Sequence, residues 1–273
     1  MRWTLDDIDW QAFDAAKVDP ELLKAVKAAA LVEYNAPDYV AYLQGVFGPG
    51  SDTLAHFEQW GREEAQHGKA LARWARMADP AFDFDDAMAR FRALQNIDTQ
   101  ATQSRRGSRA GEMVARCVVE SGTSSFYTAI KDHTGEPCLK QIATYLAADE
   151  FAHYRLFLEI LRAHANTDPI SIAGRLKIAV ARAAEADDDE LAGAYFCANH
   201  QPGDGVVYER QRFTRAYLVR ALGIYREQHI HRLVSMVLKA GGLNPRGWFS
   251  QTMCWAVWRI WQWRLAGLRR AAV

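Results

Sequence analysis

Apolar residues return every three to four positions along most of this 273-residue chain, the period of an α-helix packed on one side. Leu22, Leu23, Val26, Ala29 and Ala30 share one face of a first helix, opened by Asp19-Pro20-Glu21, where Asp caps and Pro is tolerated in the first turn. Glu33 falls on that same face, where an apolar residue is expected. Pro37, one turn later, predicts a kink or local break. Gly48-Pro49-Gly50 should end the helix, with Ser51 or Asp52 capping the next. The second helix, about 52–78, carries His56, Phe57, Trp60, Glu64 and His67 along its inner side and stops before Asp79-Pro80.

The second half repeats this pattern. A short helix is expected from Asp85 to Leu94, then a polar, basic connection from Asp98 to Ser108. A third helix, about 109–132, carries Glu120, and a fourth, about 137–165, carries Glu150 and His153, with the turn at His133 to Pro137. Gly122 and Thr123, beside Glu120, weaken the helix locally and leave room for a ligand or a bulge. Further helical stretches cover 170–195, 206–240 and 251–270. At the other end, Trp3, Trp10 and Phe13 can anchor an N-terminal segment over the bundle.

The polar residues that break the apolar faces follow a rule. Glu64-x-x-His67 and Glu150-x-x-His153 each place a carboxylate and an imidazole on one helical face. Each follows a lone glutamate at nearly the same interval, 64 − 33 = 31 and 150 − 120 = 30 residues. In an antiparallel hairpin both glutamates of a pair then lie roughly 20 Å from the turn, at 1.5 Å per residue, and come out level. Two such hairpins face to face gather four carboxylates and two imidazoles at mid-bundle, the di-iron carboxylate arrangement of ferritin-like proteins. Four carboxylates balance two ferrous ions in charge, whereas four buried acids without a counter-charge would be very costly. Oxygen and imidazole donors without thiolate suit oxygen-activating iron.

Other polar clusters read as structural. His56 stands outside the pattern, Asp187-Asp188-Asp189-Glu190 reads as a solvated acidic patch, and Glu227, His229 and His231 lack a second half-site. Net charge is zero, which gives no sign of a nucleic-acid binder. Cys117, Cys138, Cys197 and Cys254 are scattered, as buried apolar residues of a reducing compartment would be. The start, Met1-Arg2-Trp3-Thr4-Leu5-Asp6-Asp7, is acidic where a signal peptide is basic and then apolar, and no stretch is apolar for long enough to span a bilayer, so a soluble cytoplasmic protein is expected. The tail interleaves Trp255, Trp258, Trp261 and Trp263 with Arg259, Arg264, Arg269 and Arg270. Such a helix can make peripheral contact with a membrane, or pack its tryptophans on the bundle or a second subunit.

Ala147-Ala148-Asp149-Glu150-Phe151-Ala152-His153 resembles the Ala-Ala-Asp-Glu-x-x-His of the soluble acyl-carrier-protein desaturases, a ferritin-like family. Glu63-Glu64-Ala65-Gln66-His67-Gly68 is similar to that family's Glu-Glu-x-x-His-Gly, Glu33 with Pro37 and Tyr39 fits its first ligand segment, and Glu120 with Thr123 its third. The likeness covers roughly 30–165. It implies an all-α fold in a single helical domain, with a ferritin-like four-helix bundle over about 20–166, additional N-terminal helices and a C-terminal helical extension over about 167–273. It implies two iron ions held by Glu33, Glu64, His67, Glu120, Glu150 and His153, with Glu64 and Glu150 bridging and O₂ as co-substrate. Thr123 is implied in oxygen handling, and Asp149 in holding a ligand histidine on the electron-entry route, with Trp10 the candidate tryptophan there.

The expected activity is desaturation of an acyl chain on an acyl carrier protein, with a ferredoxin-like electron donor and a homodimeric assembly. Arg105, Arg106 and Arg109, or the Arg-rich tail, could dock the acidic carrier. Two alternatives share the six ligands: a ferritin-like di-iron oxygenase or oxidase of another small molecule, and a non-enzymatic iron-binding helical protein. N-oxygenases of the superfamily fit less well, since their extra histidine position is Leu146 here, and ferritins and rubrerythrins have a gap shorter than 120 − 64 = 56.

Overall fold

The computed structural model describes residues 2–95, 97–185 and 189–270. The chain is all-α, with no strand among the described residues. Helices α1 (Pro20–Tyr34) and α2 (Ala36–Phe47) lead into α3 (Leu54–Ala78), and α4 (Phe84–Leu94) precedes α5 (Arg109–His133) and α6 (Pro137–Ala163). Beyond these come α7 (Ile172–Ala184), α8 (Asp189–Asn199), α9 (Arg210–Gly223), α10 (Glu227–Ala240) and α11 (Trp248–Arg270).

Side-chain caps set most of the starts. Asp19 accepts from the amides of Glu21 and Leu22, Ser108 from Gly111, and Glu136 from Cys138 and Leu139. Glu136 also takes the indole N–H of Trp74 at 2.6 Å, which ties the start of α6 to α3. The break that Pro37 imposes falls at Asn35, because a proline without an N–H sits comfortably only in the first turn of α2. Helix α3 starts from Thr53, without a side-chain cap, rather than from Ser51 or Asp52; Ser51 is bound to the Thr53 hydroxyl instead.

The hairpins pair as their short connections require, α1 along α3 and α5 along α6, and α3 meets α6 between them. Gly68 is what lets α1 and α3 approach, since a Cβ there would lie 2.7 Å from the Tyr34 amide nitrogen and 2.9 Å from the Ala30 carbonyl oxygen. One apolar cluster runs from Trp3 through α1, α3, α6, α8 and α9 to Ile224, so the C-terminal helices share a core with the bundle. A second fills the other end with Phe47, Phe57, Trp60 and Phe157. The N-terminal segment lies across α3 and α6 in short 3-10 turns, held by the Gln66 side chain on the Trp3 carbonyl and Gln141 on Asp7.

The expected continuous helix over 206–240 is two, since the chain turns at Ile224, which is buried, and Tyr225 packs against Trp261. The stretch 170–195 likewise divides into α7 and α8. Helix α5 runs unbroken past Gly122 and Thr123, without the bulge that those residues would tolerate. All four cysteines are buried and free. Among the described residues no helix is long and apolar enough to cross a membrane.

Candidate metal centre

Helical spacing turns Glu64 and His67 of α3, and Glu150 and His153 of α6, toward the middle of the bundle, where Glu33 of α1 and Glu120 of α5 meet them. All six are buried. Their ligand atoms form two overlapping groups, Glu33, Glu64, His67, Glu150 and Glu64, Glu120, Glu150, His153, each with its atoms within 4.8 Å of one another. Each group could hold a metal ion. Because Glu64 and Glu150 belong to both, the two positions are neighbours and these two carboxylates can bridge them.

The imidazoles are aimed by carboxylates behind them. His67 Nε2 lies 3.1 Å from Asp149 Oδ2, and His153 Nε2 lies 2.8 Å from Glu63 Oε2. With the Nε2–H donated outward, Nδ1 of each ring faces the glutamates, 3.1 Å from Glu150 for His67 and 3.0 Å from Glu64 for His153. Both Nδ1 atoms are buried without a hydrogen-bond partner, as are Glu120 Oε2 and Glu150 Oε1. Four buried atoms without a hydrogen bond, spread over these two groups, carry a desolvation cost that ligation would remove, so the donor set fits a pair of metal ions.

The acid–base state of the six groups agrees with this. Burial, then the neighbouring Glu64 and Glu150 carboxylates, push Glu33 well above the usual range. Burial also raises Glu120, more than the nearby His153 imidazole lowers it. Glu64 is held well below its usual value, because the adjoining Glu33 carboxyl and the His153 and His67 imidazoles outweigh burial, and Glu150 is lowered by both histidines against burial. Both imidazoles are raised well above their usual value by the surrounding carboxylates, despite burial. Glu33, Glu120 and the two imidazoles thus hold protons more tightly than free side chains do. Two divalent ions can take the place of such protons and balance the four carboxylates in charge.

Around the ligands, Thr123 donates to Glu150 at 2.6 Å, and the Tyr127 hydroxyl donates to Glu33. Asp149 also accepts the indole N–H of Trp3 at 2.7 Å and pairs with Arg2 at 3.5 Å. The Trp3 ring lies parallel to His67, with centroids 6.0 Å apart. Trp3 thus occupies the place anticipated for Trp10, whose indole donates to the Leu5 carbonyl and whose ring lies under Arg73.

A cavity of about 60 Å³ reaches the glutamates, and its outer wall includes Tyr39, Arg116, Thr123, Arg182 and Glu190. Arg116 is 8% exposed, stacks on Tyr39 and Trp60, and its Nε has no hydrogen-bond partner. Glu190 accepts from the Tyr39 hydroxyl at this wall instead of lying in a solvated patch; Asp187 and Asp188 lie outside the described residues, as does the Asp189 side chain.

Sequence reasoning missed Glu63, Trp3, Tyr127 and Arg116. Tyr127 was within reach, two helical turns from Glu120 on the same face; Glu63 and Trp3 act across the bundle and left no periodic trace. The remaining clusters are structural. His56 is exposed, Glu227 and His231 pair at 3.5 Å on the surface, and buried His229 binds Asp132 at 3.0 Å. Of the proposed docking arginines, Arg106 grips Glu185 and Arg109 binds the Val46 carbonyl, while Arg105 is exposed. No protein-family model matches the chain, and the comparison with curated proteins finds no match.

Proposed function

We propose that this chain is an oxygen-dependent di-iron oxidoreductase. The observation that carries the proposal is the pair of four-ligand groups sharing Glu64 and Glu150, buried and complete within one chain. Iron is favoured by carboxylate and imidazole donors without thiolate. The chemistry that such a pair supplies when bound is reduction of O₂ coupled to oxidation of a nearby substrate, with electrons from a small redox donor. The residues then divide the work. Glu33, Glu64, His67, Glu120, Glu150 and His153 would hold the two ions, with Glu64 and Glu150 common to both groups, and Asp149 and Glu63 hold the imidazoles with Nδ1 turned toward the glutamates. Thr123, hydrogen-bonded to Glu150 at the cavity wall, is placed to pass a proton inward. Trp3 and Asp149 link His67 to the surface near Arg2, the path that we assign to electron entry.

Two substrate readings follow. The motifs around Glu150 and Glu64 favour desaturation of a carrier-bound acyl chain. The cavity favours a second reading, a compact polar substrate, because its volume of about 60 Å³ is several-fold below the ~300 Å³ at which ligand pockets commonly begin, and its wall presents Arg116, Arg182 and Glu190. The buried Arg116 guanidinium, whose Nε lies 3.8 Å from Glu112 without a hydrogen bond, presents a cation at this wall that suits an anionic group on the substrate.

The test is to load the protein anaerobically with ferrous iron, add reductant and O₂, and analyse products by mass spectrometry. One panel holds carrier-bound acyl chains, the other small carboxylates. Reductant-dependent oxygen uptake with loss of two hydrogens from an acyl chain supports desaturation; an oxidised small carboxylate, lost in Arg116→Gln, supports the second reading. Oxygen uptake with every candidate unchanged contradicts both substrate assignments, and no uptake with iron bound contradicts the enzymatic proposal.

A further inference from the structure

The zero net charge of the chain conceals a strong polarity. Residues 205–273 hold 12 Lys and Arg against 2 Asp and Glu, a net of +10, while residues 1–204 hold 21 against 31, a net of −10. A single-sign end of this kind attracts an anionic partner. The most exposed part of that end is α11, which contains no acidic residue.

Helix α11 is anchored along one side only. Cys254 is buried against α10, and Trp261 packs on Tyr225 and donates to the Leu222 carbonyl at 3.3 Å. The opposite side is bare: Trp248 is 82% exposed, Trp255 60%, Trp263 78% and Ile260 60%. The three tryptophans recur at intervals of 7 and 8 residues and so lie in one stripe, along which Arg259 and Arg270 are also exposed. At 1.5 Å per residue the tryptophans, 263 − 248 = 15 residues apart end to end, span about 22 Å. An apolar surface of this size, flanked by cations, is seldom left in water.

We infer that the outer face of α11 docks on an anionic lipid surface, with the helix lying in the plane of the membrane. Tryptophan is the side chain best suited to the interface, with an apolar body and a polar edge, and the arginines meet the phosphate groups. The helix lies on the bilayer and does not cross it, since it is not apolar enough to span. A second copy is a poorer occupant. An antiparallel two-fold contact centred on this stripe would bring Arg259 against its own copy, with no acid on the helix to pair it.

Flotation with vesicles tests this on the full chain. The probes are phosphatidylcholine vesicles and phosphatidylcholine vesicles containing phosphatidylglycerol. The wild type should float with the anionic vesicles and not with the neutral ones, and release at high salt. Trp255→Ser/Trp263→Ser should weaken this binding at least tenfold, and Arg259→Glu/Arg270→Glu likewise, with circular dichroism unchanged because all four positions are exposed. Absence of binding to anionic vesicles overturns the inference, as does binding that both variants retain. A concentration-dependent dimer abolished by the tryptophan variant, or binding of single-stranded DNA without vesicle binding, would also overturn it.

Discussion

His153 donates its Nε2 proton to Glu63 across the bundle, 2.8 Å away, while His67 makes the equivalent contact to Asp149 at 3.1 Å in the opposite direction. Each acidic residue that precedes a bridging glutamate therefore orients the histidine of the other half-site. The two Glu-x-x-His units are interlocked rather than merely adjacent. Supporting carboxylates of this kind typically govern 10- to 100-fold in metal affinity. Glu63→Gln and Asp149→Asn should each lower the affinity for divalent metal by about that factor while leaving helicity intact, as read by chelator competition.

Glu63 also predicts an acid-dependent change in stability of the chelator-treated protein. Burial would raise its carboxyl, but hydrogen bonds from His153 and Gln59 outweigh it and hold the value at about 2, against 4.5 ordinarily. A carboxylate lowered on folding contributes stability that is fully present above its unfolded value and is lost as pH falls through the folded one. The contribution should therefore disappear between pH 4.5 and about 2. Glu63→Gln should remove that segment of the denaturation-midpoint profile and leave the slope above it unchanged.

Metal uptake should release protons. Glu33 and Glu120 are raised by burial, and His67 and His153 by their carboxylate neighbours, so the site holds protons at neutral pH that ions must displace. Binding of divalent ions should liberate protons, and affinity should fall as pH is lowered. An indicator-dye titration in weak buffer measures both; uptake without proton release would refute the protonation scheme.

Trp3 and Trp10 are distinguishable by substitution. Trp3→Phe removes a buried hydrogen bond to a carboxylate, a class of bond worth about 1.5–3 kcal/mol, and should slow reduction of the iron-loaded protein by its donor. Trp10→Phe, which leaves Asp149 and His67 untouched, should reduce at the wild-type rate. Stopped-flow absorbance on the two variants makes the comparison.

Gly68 sets the separation of α1 and α3, and hence of Glu33 and Glu64. Gly68→Ala places a methyl against the backbone of α1 at 2.7–2.9 Å, a clash that side-chain rotation cannot relieve. Thermal or urea unfolding should show a loss of about 1–3 kcal/mol, accompanied by weaker metal binding.

The buried gathering of these six side chains was legible because helix geometry converts spacing into position: Glu-x-x-His projects to one face whatever surrounds it, and hairpins of equal length bring Glu33 level with Glu64 and Glu120 with Glu150. The Asp19 cap gave the start of α1 for the same local reason, whereas the caps at Ser108 and Glu136 lay unread within a polar connection and a turn. What escaped depends on contacts between segments. Trp3 reaches Asp149 through an N-terminal segment without helical period, and Glu63 is identified only by the histidine it meets from α6. The turn at Ile224 follows from where its side chain is buried, with only Gly223 as a local signal. Glu190, written in an acidic run that suggests solvent, is carried by α8 to the cavity wall.

The most direct measurement is iron stoichiometry in the wild type and in the two bridge variants, Glu64→Ala and Glu150→Ala. A site built on shared carboxylates should hold two irons per chain, magnetically coupled in the Mössbauer spectrum of the oxidised form, and either variant should lose both ions together, since Glu64 and Glu150 each belong to both ligand groups. One iron per chain in the wild type, or one ion retained with undiminished affinity in either variant, would contradict it.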